Sequence, residues 1–135
     1  MLRITAGPFE FTARMEMADA PHTCESFSRI LPFRSKIIQA RWSGESAWIP
    51  LGDFELGVSY ENHTSYPAPG QMIFYPGGIS ETEILLAYGG VRFASKMGQL
   101  AGNHFITLMS GLENLLPLGK MALWKGAQDI LFEQA

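Results

Sequence analysis

Side chains able to do chemistry fall into three groups along this chain. The first is Arg41-Trp42, with Glu45 four residues beyond the arginine. A guanidinium is a planar fork of donors that matches a carboxylate or carbonyl, and a neighbouring indole offers a flat apolar wall. Arg41 and Glu45 equally suit a solvated ion pair, worth about 0–1 kcal/mol. The second group starts with the polar segment ENHTSY, residues 61–66, which carries His63. It continues through Tyr75 to Glu81 and Glu83, which flank Thr82. In a strand those two carboxylates share a side, which suits acid–base chemistry or the wet face of a sheet. The third is GGVRFASKMGQLAGN, residues 89–103, read as a long glycine-rich loop with Arg92 and Lys96 that ends at Asn103, with His104 opening the strand that follows. Backbone N–H groups and two cations can hold a small anion, although the same composition fits a solvated surface loop. It lacks the glycine-to-lysine spacing of a nucleotide-phosphate loop.

Several function classes are excluded by what those groups lack. No HxH or HExxH spacing occurs, so neither a metal nor another cofactor is expected. No G-x-S-x-G elbow accompanies the single cysteine, Cys24. That cysteine lies on the apolar stripe of a helix, where a thiol acts as a small core hydrophobe. A formal net charge of −3 offers no basic footprint for nucleic acid. No run approaches the ~18 apolar residues of a membrane span, and the first residues lack the apolar core of a signal peptide. One cysteine permits no internal disulfide, and the expectation is a cytoplasmic protein. Charged residues make up 17% of the 135 positions, below the usual ~25%, and aromatics 12%. This balance predicts apolar surface that self-associates, as a homodimer.

The elements that must position these groups read as mainly β. Residues 9–17, FEFTARMEM, alternate apolar and polar at every step, as a half-buried strand does, and residues 2–5 supply a hairpin partner across Gly7-Pro8. Asp19 is the expected cap and Pro21 the first turn of a helix that Pro32 stops. KIIQARWSGESAWIPL, residues 36–51, reads as two strands around Ser43-Gly44, with Arg41 inside the first. The runs 72–75 and 84–88 form a hairpin-like pair between two turns, Pro69-Gly70 of type II and Pro76-Gly77-Gly78. Residues 104–109 read as a buried strand, and Ser110 to Glu113 as a capping box opening a short helix. Residues 119–125 fit a helical turn or a strand, and 129–133 a closing strand.

The order of FEF (9–11), DAPHTCESF (19–27), ARWSGE (40–45), YPGG (75–78) and GNHF (102–105) resembles a bacterial cyclophilin-like family of unknown function, domain of unknown function 3830. The resemblance spans residues 9–133 and extends, more distantly, to cyclophilins, whose own helix begins where DAPHTCESF stands. It implies one domain over residues 1–135, a closed antiparallel barrel of about eight strands. One main helix is expected at about 20–31 and a short one at about 111–116. It also places Arg41 at the strand arginine of cyclophilins. The Phe-Met-x-Gln-Gly-Gly-like run that lines their proline pocket is replaced by Trp42-Ser43-Gly44-Glu45, so prolyl isomerase activity is expected to be weak or absent. The leading expectation is a barrel that binds a small anionic metabolite, with a prolyl isomerase and a self-associating subunit as alternatives. Arg41 and Arg92 would pair the anion, with Glu45 beside them. Trp42 and Tyr75 would wall the cavity, and His63, Asn103 and His104 would bond polar edges.

Overall fold

The computed structural model describes residues 1–135. Alternation in FEFTARM produces strand β2 (Phe9–Met15), which pairs antiparallel with β1 (Leu2–Ala6) across the Gly7-Pro8 turn. Helix α1 (Pro21–Ser28) follows, then β3 (Phe33–Gln39), a 3-10 turn at Arg41–Ser43, and β4 (Gly44–Gly52). A two-residue strand β5 (His63–Thr64) precedes β6 (Gln71–Tyr75) and β7 (Thr82–Val91). A small ribbon, β8 (Ala94–Ser95) with β9 (Gly98–Gln99), leads into β10 (Gly102–Ser110). Helix α2 (Leu115–Lys125) and β11 (Gln128–Gln134) complete the chain. The sheet runs β2-β1-β11-β3-β4-β7-β6-β10 and closes by pairing β10 with β2, so eight strands form an antiparallel barrel, with β5 appended to β10. Closure leaves no long unpaired edge among them. None of the helices is long and apolar enough to cross a membrane.

The barrel interior is filled by Leu2, Ile4, Phe11, Ile37, Ile49, Met72, Phe74, Ile84, Phe105 and Phe132. Phe27 of α1 enters this core edge-to-face against Phe105 at 5.3 Å and Phe132 at 5.2 Å. Strands β6 and β7 differ from their neighbours because both of their faces are covered. Ile73, Tyr75 and Leu85, the residues between the inward-facing ones, pack outside the barrel with Ala40, Phe93 and Leu100. This outer cluster is roofed by the segment 92–101, which the sequence presented as an open loop. It is instead an anchored excursion, with Phe93 and Leu100 as buried feet and the β8–β9 turn as its tip. Burial on both sides explains the continuous apolar runs in β6 and β7, where a half-wet strand would alternate.

Several local expectations are corrected by the structure. Asp19 does not cap α1; the N-cap is Ala20, without a side-chain bond. The free N–H groups turn to Glu61, whose carboxylate accepts from the Thr23 N–H at 2.6 Å, the Thr23 hydroxyl at 2.7 Å and the His22 N–H at 3.4 Å. The helix ends at Ser28 rather than 31, because a residue before proline avoids helical angles and the last turn tightens into Ile30 N–H to Phe27 O. The second helix is longer than the expected 111–116: a 3-10 turn at Leu112–Asn114 continues into α2 through Lys125. Pro117 lies in the first turn of α2, where its missing N–H costs nothing. Ser110 makes no cap, its hydroxyl being bonded to Thr12 across the barrel seam; Gly111, at φ +79°, starts the turn instead. The Pro69-Gly70 turn is type II as expected, with Gly70 at φ +88° and Gln71 N–H donating to Ala68 O at 2.9 Å.

Candidate functional site

Arg41 does not sit inside a strand. Ala40 breaks from β3, and Arg41-Trp42-Ser43 coil into a 3-10 turn before Gly44 that exposes Arg41 and Trp42 and buries Ser43. Gly44 adopts φ +99°, and a Cβ there would lie 2.5 Å from Gly90 O, so only glycine fits this close crossing of β4 over the end of β7. Arg41 and Glu45 form no ion pair; Glu45 accepts instead from the Gly90 N–H at 3.1 Å. The turn projects Trp42, half exposed, against Trp48 of β4, with ring centroids 5.2 Å apart and planes at 84°. Ser43 binds the excursion to this corner: its hydroxyl donates to Ala94 O at 3.2 Å and accepts from the Ala94 N–H at 3.0 Å. Arg92 N–H adds a bond to Ser43 O at 3.1 Å, and its side chain is exposed.

Between the indole pair and the β8–β9 turn lies a lateral cleft of about 620 Å³ on the barrel's outer wall. Trp42 and Trp48 form one side, Ile79, Ser80 and Glu81 another, and Ser95, Lys96 and Met97 the roof, with Glu83 also in the lining. Met97 and Ile79, which border the cleft, are two-thirds exposed. Tyr75 does not reach the cleft as a wall. It is buried against Phe93 at 5.8 Å, and its phenolic oxygen accepts from the Ile79 and Ser80 N–H groups at 3.0 and 3.3 Å. Tyr75 therefore shapes the 76–80 turn that borders the cleft.

Glu83 is the residue that strand reasoning undervalued. It stands opposite Tyr75 on one side and Pro50 on the other, in the outward-facing register of β7. A barrel's outer face is ordinarily wet, but here the excursion covers it, and Glu83 retains only 2% exposure. Its Oε2 has no hydrogen-bond partner in the protein. Burial, reinforced by the nearby charge of Glu81, pushes its carboxyl up to about 8. The Glu81/Glu83 pair was legible as two carboxylates on one side of a strand. Their unequal burial was not, since it depends on residues 92–101.

The remaining sequence-selected residues lie elsewhere. Asn103 is fully buried at the start of β10 and spends its amide on structure: Oδ1 accepts from Glu61 N–H at 3.1 Å, and Nδ2 donates to Thr23 Oγ1 at 3.1 Å and Ser59 O at 2.9 Å. His63, on β5, is exposed and lies against Tyr60, with ring centroids 4.9 Å apart and planes tilted by 42°. His104 is half-buried beside Thr107, with Nε2 at 2.8 Å from Oγ1, and the Thr107 hydroxyl donates to Glu16. Burial lowers its pKa, with the Glu16 charge opposing. Of the eight residues expected around one cavity, only Trp42 lines the lateral cleft, and none of the eight lines the other two main clefts. No group of three or more His, Cys, Asp or Glu comes together in a way that could hold a metal ion.

Fold and site together define a closed antiparallel β-barrel with a roofed cleft on its outer wall and a buried acid within it. Over residues 2–134 the sequence matches the family described as protein of unknown function (DUF3830), and the chain belongs to that family. Its fold is similar to that of McbB, solved in complex with tryptophan, at TM-score 0.73 and 14% identity; the likeness covers 99% of this chain but only 44% of the McbB chain. It is also similar to the hypothetical protein AF2241 from Archaeoglobus fulgidus, solved in solution, at TM-score 0.59 and 18% identity over 99% of this chain and 93% of that one. At these identities the likeness concerns the fold. No curated protein sequence matches the chain.

Proposed function

We propose that this barrel binds a small, flat, largely apolar molecule in the lateral cleft, with the ligand's body against Trp42 and Trp48 and a polar nitrogen group at Glu83. The observation that carries the reading is the unpartnered, buried Oε2 of Glu83 in a cleft with aromatic and aliphatic walls. Buried polar atoms in folded proteins are nearly always bonded, so an orphaned carboxyl oxygen in a cavity points to a partner from outside the chain. The cleft volume of about 620 Å³ falls within the ~300–1,000 Å³ usual for small-molecule sites. Two carboxyl groups against one cation, Lys96, favour a neutral or amine-bearing ligand over the anion that Arg41 and Arg92 suggested. Protonated, Glu83 can donate to an acceptor; ionised, it can pair with an amine. A tryptophan complex is described for McbB, whose fold is similar over the whole length of this chain. An aromatic amine of that size suits the present cleft on chemical grounds as well.

Isothermal calorimetry with tryptamine, tryptophan and indole-3-acetate tests the proposal. Tryptamine is expected to bind more tightly than indole-3-acetate, Trp42→Ala to weaken every indole about tenfold or more, equal to ~1.4 kcal/mol, and Glu83→Gln to remove the preference for the amine. The absence of binding by all three compounds, or binding indifferent to Trp42→Ala, overturns the reading.

A further inference from the structure

The geometry points to a proton-transfer activity in this cleft: Glu83 takes a proton from a carbon adjacent to a carbonyl or imine of a flat, apolar substrate and returns it to a different atom, an isomerisation of the tautomerase kind. This inference rests on the reading of the cleft as a ligand site and adds chemistry to it.

The chain's other partly buried glutamates show what structural carboxylates look like in this fold. Glu61 accepts from three donors on α1. Glu16 is held by Arg14 at 2.7 Å and Thr107 at 3.2 Å. Even the exposed Glu45 is bonded to a backbone N–H. Glu83 is more deeply buried than any of them, yet one of its oxygens is left free. It also stands on β7, which is paired on both sides, by β4 and β6, so its backbone position is fixed by two flanking strands. A base works best when its geometry is set before the substrate arrives and when water is kept away from it.

The groups facing Glu83 suit that task. From β6 the register partner is Tyr75, whose phenol already holds two backbone N–H groups; from β4 it is Pro50, which has nothing to titrate. Glu81 approaches from the turn before β7, and Lys96 from the tip of the excursion. Burial and Glu81 hold the Glu83 carboxyl near 8, so both forms coexist close to neutral pH and the ionised form is a stronger base than an ordinary carboxylate. In the first half-reaction the substrate C–H bond breaks and the proton goes to Glu83. The C–H electron pair becomes a carbon–carbon π bond, and the carbonyl π pair moves onto oxygen or nitrogen. The Lys96 ammonium and the hydroxyls of Ser80 and Ser95, all in the cleft lining, supply the charge and donors that such an enolate requires. In the second half-reaction the Glu83 proton passes to the other end of the delocalised system. No oxidant, reductant or second substrate is consumed.

The test uses 5-nitrobenzisoxazole, a planar probe whose single C–H proton is removed as the ring N–O bond breaks, releasing a coloured phenolate. A planar analogue with no carbon proton to lose in this way, 6-nitrobenzotriazole, reports binding alone. The whole chain is expected to accelerate elimination about 10²-fold or more over an equal concentration of acetate. The rate should rise with pH to a plateau, with a midpoint near 8. Glu83→Gln should abolish the acceleration while keeping the parent's circular dichroism spectrum. Glu83→Asp, which moves the carboxylate back but keeps it, should retain a reduced rate with the same shape of pH profile. Binding of the analogue without acceleration, or a rate unchanged in Glu83→Gln, overturns the proton-transfer inference and leaves the ligand site standing. If neither compound binds, the ligand-site reading fails with it.

Discussion

Glu83 and Glu61 show how far one side-chain type can be driven in opposite directions within a small barrel. Burial alone raises the Glu61 carboxyl, but the bonds from Thr23 and His22 more than offset it and leave it below the ordinary range. Glu83 has burial without the bonds, and rises to about 8 from a reference of 4.5. Between those two values the folded chain keeps a proton that the unfolded chain has released, so stability falls as pH rises toward 8 and levels off above it. His104, depressed by burial, acts the other way, and only below its ordinary value of 6.5. Burial also raises the Cys24 thiol, to about 11 from 9.0, which matters only in more alkaline solution. The interval from 6.5 to 8 therefore isolates Glu83. Urea unfolding should show the parent losing roughly 1.5 kcal/mol across that interval, at a slope of ~1.4 kcal/mol per pH unit that halves by pH 8, and Glu83→Gln should flatten the slope. An unchanged slope in Glu83→Gln would mean that the carboxyl titrates normally and is better solvated than its burial implies.

Helix α1 carries the same lesson at the scale of an element, because its N-terminus is held from a distant loop. Glu61→Ala should cost about 1–2 kcal/mol in urea unfolding, the usual range for a lost cap. Asp19→Ala, one residue before the N-cap, should cost far less; equal losses would return the capping role to Asp19. This contrast also marks where local sequence stops being informative. Strand β2, its hairpin with β1, the Pro69-Gly70 turn, the β6–β7 pair and β11 were all legible, because alternation and turn chemistry are encoded within a few residues. The eight-strand antiparallel barrel followed from the family resemblance. A cap supplied 38 residues away in the chain was not legible, since Asp19 is as good a local signal as Glu61 is a poor one. The cleft was legible only in pieces. Trp42 stood out as a wall and Glu81/Glu83 as a carboxylate pair, while Asn103 looked like a ligand donor until its three bonds to Glu61, Thr23 and Ser59 were visible. What joins Trp42 to Glu83 is the fold-back of residues 92–101 over β6 and β7. Glycines in that segment suggested an open loop, although Phe93 and Leu100 are its buried anchors.

At the scale of the whole molecule, closing the sheet leaves two kinds of place for chemistry, the barrel's ends and its outer wall, because the interior is packed with aliphatic and phenyl side chains. A cyclophilin-like site would use Arg41 as a strand arginine, but Arg41 lies on a 3-10 turn between β3 and β4. Rotation about an X–Pro bond faces a barrier of about 18–20 kcal/mol, and lowering it needs an apolar slot for the proline ring together with a donor held against the twisting amide. Arg41 is exposed on that turn, outside the cleft lining, where its guanidinium is solvated and has no protein group to hold it in place. The cleft itself is built around a buried acid with Lys96 at its roof, a polarity suited to moving protons and poorly matched to a neutral amide. A protease-coupled assay on an Ala-Pro peptide should therefore return the uncatalysed rate for both the parent chain and Arg41→Ala. Acceleration by the parent that disappears in Arg41→Ala would show that the turn at 41–43 rearranges on binding peptide, and would place a site at the Arg41 corner.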